Sequence, residues 1–432
     1  MGYLEMYNEW LTNPYFDEDT RNELKALEGN DKEIKERFFK NLEFGTGGLR
    51  GILGAGINRM NIYTVRKATQ GLANYIIKQK GESKGVVIAY DSRRMSPEFA
   101  METALCLAAN KIKAYLFDSL RPTPMLSFAV RELACIAGVV ITASHNPPEY
   151  NGYKVYWEDG AQITYPKDVE IIQEVNAITD FAAAKTMTKE EAIKEGLLKI
   201  IGQEIDDRYI ESLKALTINP ISEEGKKLTI VYTPLHGSGN MPVQRILREL
   251  GFSNVYVVSE QEQPDSNFST VEYPNPEDPK VFTLAKELAD KVGADIILAT
   301  DPDADRLGVQ VKNNKGEYVL FNGNMTGALI AEYVFSQKAA KGILPKNSAL
   351  IKTIVTGNIS DKIAEHYNAK LIEVLTGFKY IGEQIKLFEE TGSNEFIFGY
   401  EESYGYLIGT HSRDKDAVVS LMILCEACAY YK

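Results

Sequence analysis

Cysteine is scarce. Cys106, Cys135, Cys425 and Cys428 are the four in 432 residues, too few for a disulfide framework, which points to a reducing compartment. Cys425 and Cys428 form a C-x-x-C within VVSLMILCEACAYY. That run reads as a buried helix, and no second Cys/His pair stands by to complete a metal site, so the pair is expected to pack in a core. Long apolar runs are missing too, so no membrane span is expected, and MGYLEMYNEW lacks the basic start and apolar stretch of a secretion signal. A cytoplasmic protein follows. Positive charge is in deficit: 48 Lys and Arg against 60 Asp and Glu leave a net charge of −12. This argues against nucleic acid as the main partner and requires a local cluster of cations for any anionic substrate.

What remains is ordinary for a globular protein, with 44% apolar and 25% charged residues. The length implies several domains. Residues 1–40 are charged and predict two amphipathic helices ahead of the main body. A repeat of elements then runs three times. GVVIAYDSRR, KAYLFDSL and CIAGVVITASHNPP read as three strands, followed by the hairpin NGYKVYWEDG. LTIVYTPLHGSG, NVYVVSEQ and ADIILATDPDADR repeat the series, with hairpin LGVQVKNNKGEYVL. ALIKTIVTG, KLIEVLTGF and EFIFGYEESYGY repeat it again. Strands alternating with helices mean α/β units with mixed, largely parallel sheets. The expected organisation is three tandem homologous domains, at 1–205, 206–320 and 321–432, around a shared cleft. TASHNPP, TDPDADR and YEESYG each follow the third strand of their unit, at the sheet edge where such folds bind ligands.

Each string carries its own chemistry. In TASHNPPEYNGYK an apolar strand delivers Ser144 into a Pro- and Asn-rich turn that exposes and fixes a hydroxyl. A serine nucleophile needs a base or strong electrophile beside it. His145 is next in sequence, although adjacent side chains tend to diverge. Lys154, on the following hairpin, could neutralise a phosphate or shuttle a proton. In TDPDADR, Asp301, Asp303 and Asp305 alternate after a strand and can converge on a hard cation. An EF-hand would need Gly where Arg306 stands and Glu where Lys312 stands. Mg²⁺ suits phosphoryl transfer, and Arg306 is placed to meet a phosphate oxygen. An aspartyl-type phosphatase also puts D-x-D after a strand, but here Asp305 occupies the position where that motif carries Thr or Val. In GYEESYG, Glu401 and Ser403 can present a carboxylate and a hydroxyl to vicinal sugar hydroxyls. FGTGGLRG offers glycine N–H groups for an anion, plus Arg50. Lys379 in TGFKY and Lys415 in RDKDA are further candidates for phosphate contact. His236 reads as structural or interdomain, and His366 and His411 have no evident role.

Together and in this order, these strings resemble the α-D-phosphohexomutase superfamily, which includes phosphoglucomutase and phosphomannomutase, across roughly residues 40–432. The N-terminal extension, TPLHG and GYEESYG look closest to its bacterial phosphoglucomutase and phosphopentomutase branch. The resemblance implies that Ser144 is a phosphoserine and that Asp301, Asp303 and Asp305 bind Mg²⁺, with the serine phosphate as a further ligand. Arg50, Lys154 and Arg306 would support phosphoryl and proton transfer. Glu401 and Ser403 would bind sugar hydroxyls, with Thr376, Gly377 and Lys415 near the substrate. It further implies a hexose phosphate substrate and a hexose 1,6-bisphosphate primer, in a monomer or homodimer. Alternatives are a phosphopentomutase, the aspartyl-type phosphatase and a noncatalytic sugar-phosphate binder. The family's fourth domain carries an R-x-S-G-T-type loop, and that string is absent here, so a truncated form with impaired turnover is expected.

Overall fold

The computed structural model describes residues 2–45 and 47–432; Met1 and Thr46 lie outside the described residues. The N-terminal segment forms three short helices, not the two expected: Tyr3–Thr12, Glu18–Lys25 and Asp31–Phe38. Two side-chain caps start the second and third. Asp17 accepts from the Thr20 N–H and Asn30 from the Glu33 N–H, so the chain breaks once more than its charge pattern suggests. The helices close over Trp10, which stacks on Phe16 with ring centroids 4.1 Å apart and meets Tyr63 and Phe181 edge-on. This aromatic cluster fastens the extension to helix Ile62–Lys78.

Three sheets follow. The first contains β1 (Gly48–Ile52), β2 (Val86–Tyr90), β3 (Ala114–Phe117), β4 (Ala137–Ile141), β5 (Tyr150–Trp157) and β6 (Leu198–Ile201), in the order β1-β5-β4-β2-β3-β6. The second contains β7 (Thr229–Thr233), β8 (Asn254–Val257), β9 (Ile296–Thr300), β10 (Leu307–Lys312) and β11 (Tyr318–Phe321), in the order β11-β10-β9-β7-β8. The third contains β12 (Ser348–Thr353), β13 (Lys370–Val374), β14 (Glu395–Glu401) and β15 (Gly405–Ile408), in the order β13-β12-β14-β15. Each repeats one plan. Three parallel strands lie side by side in the order third, first, second, and the next hairpin strand runs antiparallel beside the third. Helices cover both faces, as buried parallel strands require. The expected divisions at 205/206 and 320/321 fall inside helix Gln203–Lys214 and strand β11, respectively.

One apolar core runs through all three units. It joins Val87 and Val140 of the first sheet, Ile230 and Leu298 of the second and Leu350 and Phe398 of the third. The Gln203–Lys214 and Ala417–Tyr431 helices lie between them and contribute Tyr209, Val419 and Met422. Cys425 is part of this core, and burial pushes its thiol well up. All four cysteines are free thiols. No helix among the described residues is long and apolar enough to cross a membrane.

The repeat has a shared local feature. Three non-glycine residues, Ser144, Ala304 and Tyr404, occupy the left-handed region at φ 52°, 50° and 64°. Each lies three or four residues beyond the end of its unit's third strand. Such backbone persists only where surrounding contacts over-determine it, and all three turns face the junction of the units.

Candidate active site

Ser144 sits in the turn after β4 and is 3% exposed. The turn is held from several directions. The Ser144 N–H donates to Thr142 Oγ1 at 2.8 Å, and Thr142 Oγ1 donates in turn to Asp91 Oδ2 at 2.6 Å. Arg93 is 1% exposed and acts as a staple. Its Nη2 donates to the carbonyls of Ser144 and Asn146, and its Nη1 to those of Pro147 and Tyr150. Phe268, from the second unit, lies 5.1 Å from the guanidinium. With its backbone pinned in this way, Ser144 Oγ reaches two partners. It donates to Asp301 Oδ2 at 2.7 Å and lies 3.2 Å from His145 Nδ1. The expected divergence of adjacent side chains does not occur, because the left-handed backbone at Ser144 turns both toward the cleft.

Asp301, Asp303 and Asp305 are buried, with carboxylate oxygens within 4.8 Å of one another. Among the described residues they form the one acid, His or Cys group compact enough for a metal ion. Asp301 Oδ1 accepts from the N–H groups of Asp305 and Arg306 at 3.1 and 3.0 Å. The Oδ1 atoms of Asp303 and Asp305 are buried without a hydrogen-bond partner. Two orphan carboxylate oxygens beside a third acid form a hard donor set that fits Mg²⁺. Burial, with Asp303 and Asp305 as neighbours, pushes the Asp301 carboxyl well above its usual range. Burial also disfavours ionised Asp303, but the Lys154 ammonium and the Thr123 hydroxyl outweigh it and hold that carboxyl low.

Four cations ring the triad. Lys154 Nζ donates to Asp303 Oδ2 at 2.8 Å and lies 3.6 Å from Asp305 Oδ2. Lys415 Nζ is 3.2 Å from both Asp305 Oδ2 and Asp414 Oδ1. Burial opposes charge on both lysines, yet these carboxylates more than offset it and raise the ammonium pKa of each. Arg306 pairs with Glu277 at 2.5 Å, and Arg50 Nη1 donates to Asn146 Oδ1 at 3.2 Å. A cavity of about 240 Å³ collects Ser144, His145, Arg50, Lys154, Asp305, Arg306 and Lys415 on its walls, together with Gln162 and Asp414. The local positive cluster that the acidic composition demands is therefore present.

Other expected residues are placed differently. Thr376, Gly377, Lys379, Glu401 and Ser403 are not among the described residues on those walls. Glu401 ends β14, is 5% exposed, and its Oε1 accepts from the Gly377 N–H at 2.8 Å. Burial raises its pKa, and Lys415 partly counters the rise. Ser403 is half-buried and Thr376 exposed, while the Lys379 ammonium lies 5.2 Å from the Tyr380 ring. The glycine-rich string does not offer all its N–H groups to an anion. Gly45 and Gly48 donate to each other's carbonyls at 2.8 and 3.3 Å. A side chain at Gly48 would meet the Tyr153 carbonyl oxygen at 1.8 Å, so that glycine serves the close approach of β1 to β5. Its neighbour Thr46 lies outside the described residues. His236 bonds the Gln263 carbonyl and Thr270 Oγ1 within its own unit, a structural role. His411 bonds Asp416.

Sequence reasoning missed Asp91, Arg93, Thr123, Tyr156, Gln162 and Asp414. For Asp91 and Arg93 a signal existed, since DSRR follows the first strand of a parallel unit at the same sheet edge as Ser144.

Three α/β/α units that bring a serine-bearing turn, an acidic metal-fitting loop and a ring of cations to one cleft define a protein of the three-repeat α/β class with a cleft suited to an anionic ligand. Comparison with known proteins specifies the class further. Family models described as phosphoglucomutase/phosphomannomutase, alpha/beta/alpha domains I, II and III match residues 41–181, 207–316 and 322–432. The chain belongs to the phosphoglucomutase/phosphomannomutase family and is a phosphohexomutase, an isomerase. A phosphoglucomutase of Staphylococcus epidermidis is 39% identical over 426 residues, covering 98% of this chain and 74% of the relative. One from Staphylococcus aureus is 37% identical over 416 residues, covering 96% and 71%. Among solved structures, a putative phosphomannomutase from Thermus thermophilus superposes with a TM-score of 0.73 at 25% identity, covering 91% of this chain and 81% of that one. The open form of Paramecium parafusin, a phosphoglucomutase, shares the fold at a TM-score of 0.68 and 20% identity, covering 90% and 71%.

Proposed function

We propose that this chain interconverts glucose 1-phosphate and glucose 6-phosphate through a phosphoserine at Ser144 and a hexose 1,6-bisphosphate. The observation that carries this reading is the Ser144 hydroxyl, 2.7 Å from Asp301 on a cavity walled by Arg50, Lys154, Arg306 and Lys415. The phosphoglucomutases of Staphylococcus supply the choice of sugar. Mannose phosphate is the second reading, from the description of the family itself.

In the forward half-reaction the Ser144 Oγ–P bond breaks as a bond forms from a sugar hydroxyl oxygen to phosphorus. The hydroxyl proton passes to a base, and the serine oxygen is released. In the second half the other phosphate of the bisphosphate returns to Ser144. Phosphoryl transfer asks the protein mainly for position and charge. Asp301, Asp303 and Asp305 would hold Mg²⁺ beside Ser144, and the ion when bound supplies charge neutralisation at the phosphoryl group. Arg50, Lys154 and Arg306 bind phosphate oxygens. His145 is held neutral, as burial and the Arg306 and Arg50 charges push its imidazole down to about 3. It is therefore a neutral hydrogen-bond partner at 3.2 Å from Ser144 Oγ, and so low a pKa makes it a weak base. Lys415, Glu401, Ser403, Thr376, Gly377 and Lys379 contribute substrate contacts. Asp305 stands where the aspartyl-type phosphatase motif carries Thr or Val, which speaks against that alternative.

Intact mass spectrometry and a coupled assay test the reading. The expected outcome is one labile phosphate, absent in Ser144→Ala, and glucose 1-phosphate conversion that depends on glucose 1,6-bisphosphate. Stable phosphate on Asp301, or full turnover by Ser144→Ala, would reject it.

A further inference from the structure

Lys154 and Tyr156 are two residues apart in β5 and therefore share a face of the sheet. Tyr153, Val155 and Trp157 point into the opposite core. The two shared-face residues reach different units. Lys154 extends to Asp303 and Asp305 in the second. Tyr156 is fully buried, and its Oη donates to Asp414 Oδ2 in the third at 2.6 Å. Asp414 spends its other oxygen on Lys415, accepting from the backbone N–H at 2.8 Å and lying 3.2 Å from Nζ. Lys415 Nζ then meets Asp305 Oδ2 at 3.2 Å, which closes a ring through Lys154 back to β5. One strand of the first unit thus references the metal-fitting loop and the Lys415 loop against each other.

The Lys415 segment is otherwise tied down on either side of this contact. Arg131 Nη1 donates to the Thr410 and His411 carbonyls, and the Arg413 N–H donates to Ser127 Oγ at 2.8 Å. On the far side, Tyr209 Oη donates to Asp416 Oδ2 at 2.8 Å. Those contacts fix the loop as a whole, whereas the Tyr156 bond acts on the carboxylate that orients the Lys415 ammonium. A carboxylate held on one oxygen by a buried neutral donor is restrained in where its other oxygen meets Lys415.

We propose that Tyr156 is a positioning residue, acting through Asp414 to aim the Lys415 ammonium at the phosphosugar. The proposal rests on the reading of Lys415 as a substrate contact, and the experiment separates the two. Hydrogen exchange of the 412–416 segment is measured in wild type, Tyr156→Phe and Asp414→Asn, with residues 65–76 as an internal check of folding. Exchange of the Lys415 amide, which donates to Asp414 Oδ1, is expected to be about tenfold faster in both variants, with the other amides of 412–416 and residues 65–76 unchanged. Calorimetry with glucose 1,6-bisphosphate then compares wild type, Tyr156→Phe, Lys415→Met and the double variant. Tyr156→Phe is expected to weaken binding about tenfold, and to have no further effect once Lys415 is gone. Wild-type exchange in both variants overturns the proposal, as do losses that simply add. Failure of wild type to bind the bisphosphate overturns the functional reading instead, and the exchange result still decides the positioning.

Discussion

Thr123 of the first unit donates its hydroxyl to Asp303 Oδ2 at 2.8 Å, and its N–H to the Asp303 carbonyl at 2.9 Å. Both atoms sit at the start of helix Thr123–Glu132, so the metal-fitting loop of one unit is docked on a helix end of another. Outer-shell partners of a ligating carboxylate typically govern about 10–100-fold of metal affinity. Thr123→Val keeps the side-chain shape and removes the hydroxyl. It is expected to raise the Mg²⁺ concentration for half-maximal turnover by about tenfold with little change in Tm. An unchanged Mg²⁺ titration would show that the backbone contact alone suffices.

Arg93 gives a sharper test of how Ser144 is presented. Its planar fork serves four carbonyls at once, which a lysine ammonium cannot match. Arg93→Lys leaves a buried charge with fewer partners. A loss of about 1.5–3 kcal/mol is expected, read as a lower urea midpoint, together with slower incorporation of phosphate at Ser144. Arg93→Lys with wild-type stability would contradict the staple.

Much of this site was legible in the primary structure for a definite reason. TASHNPP, TDPDADR and YEESYG each follow the third strand of a repeated unit, and parallel topology carries such turns to one edge. Order of elements was therefore enough to bring Ser144 and the Asp301–Asp305 triad together. Partners across units were not legible. Tyr156 reaches Asp414 across 258 positions and Thr123 reaches Asp303 across 180, and neither residue type stands out locally. The glycine-rich string lines the same cavity through Gly45, Gly47, Gly48 and Arg50, but its letters do not say what approaches each glycine. Glycine reports that backbone approaches closely or turns sharply, and at Gly48 the close neighbour is β5.

Gly405 tests the Lys415 position from outside the hydrogen-bonded ring. A Cβ there would meet Lys415 Cδ at 2.0 Å, so the missing side chain is the channel along which that lysine runs. Gly405→Ala is expected to fold, since Gly405 lies outside the left-handed set, and to displace the ammonium. The readout is a phosphosugar KM raised about tenfold or more, with Ser144 still phosphorylated. A normal KM would place the substrate away from Lys415.

His145 supplies a pH signature. Burial is the main cause of its depressed pKa, and Arg306 and Arg50 add to it, bringing it to about 3. An unfolded chain protonates histidine near about 6.5. Between those values the unfolded state binds the extra proton, so the His145 contribution is complete above the unfolded value and is lost as pH falls toward the folded one. The slope from one such group is at most about 1.4 kcal/mol per pH unit. His145→Gln removes it. Urea midpoints of the variant are accordingly expected to fall less steeply than those of wild type between pH 6 and pH 4. Turnover by wild type should show no protonation of this imidazole near neutrality. Parallel stability profiles for the two proteins, or an imidazole NMR titration centred near about 6.5, would mean that His145 is open to solvent rather than buried beside Ser144.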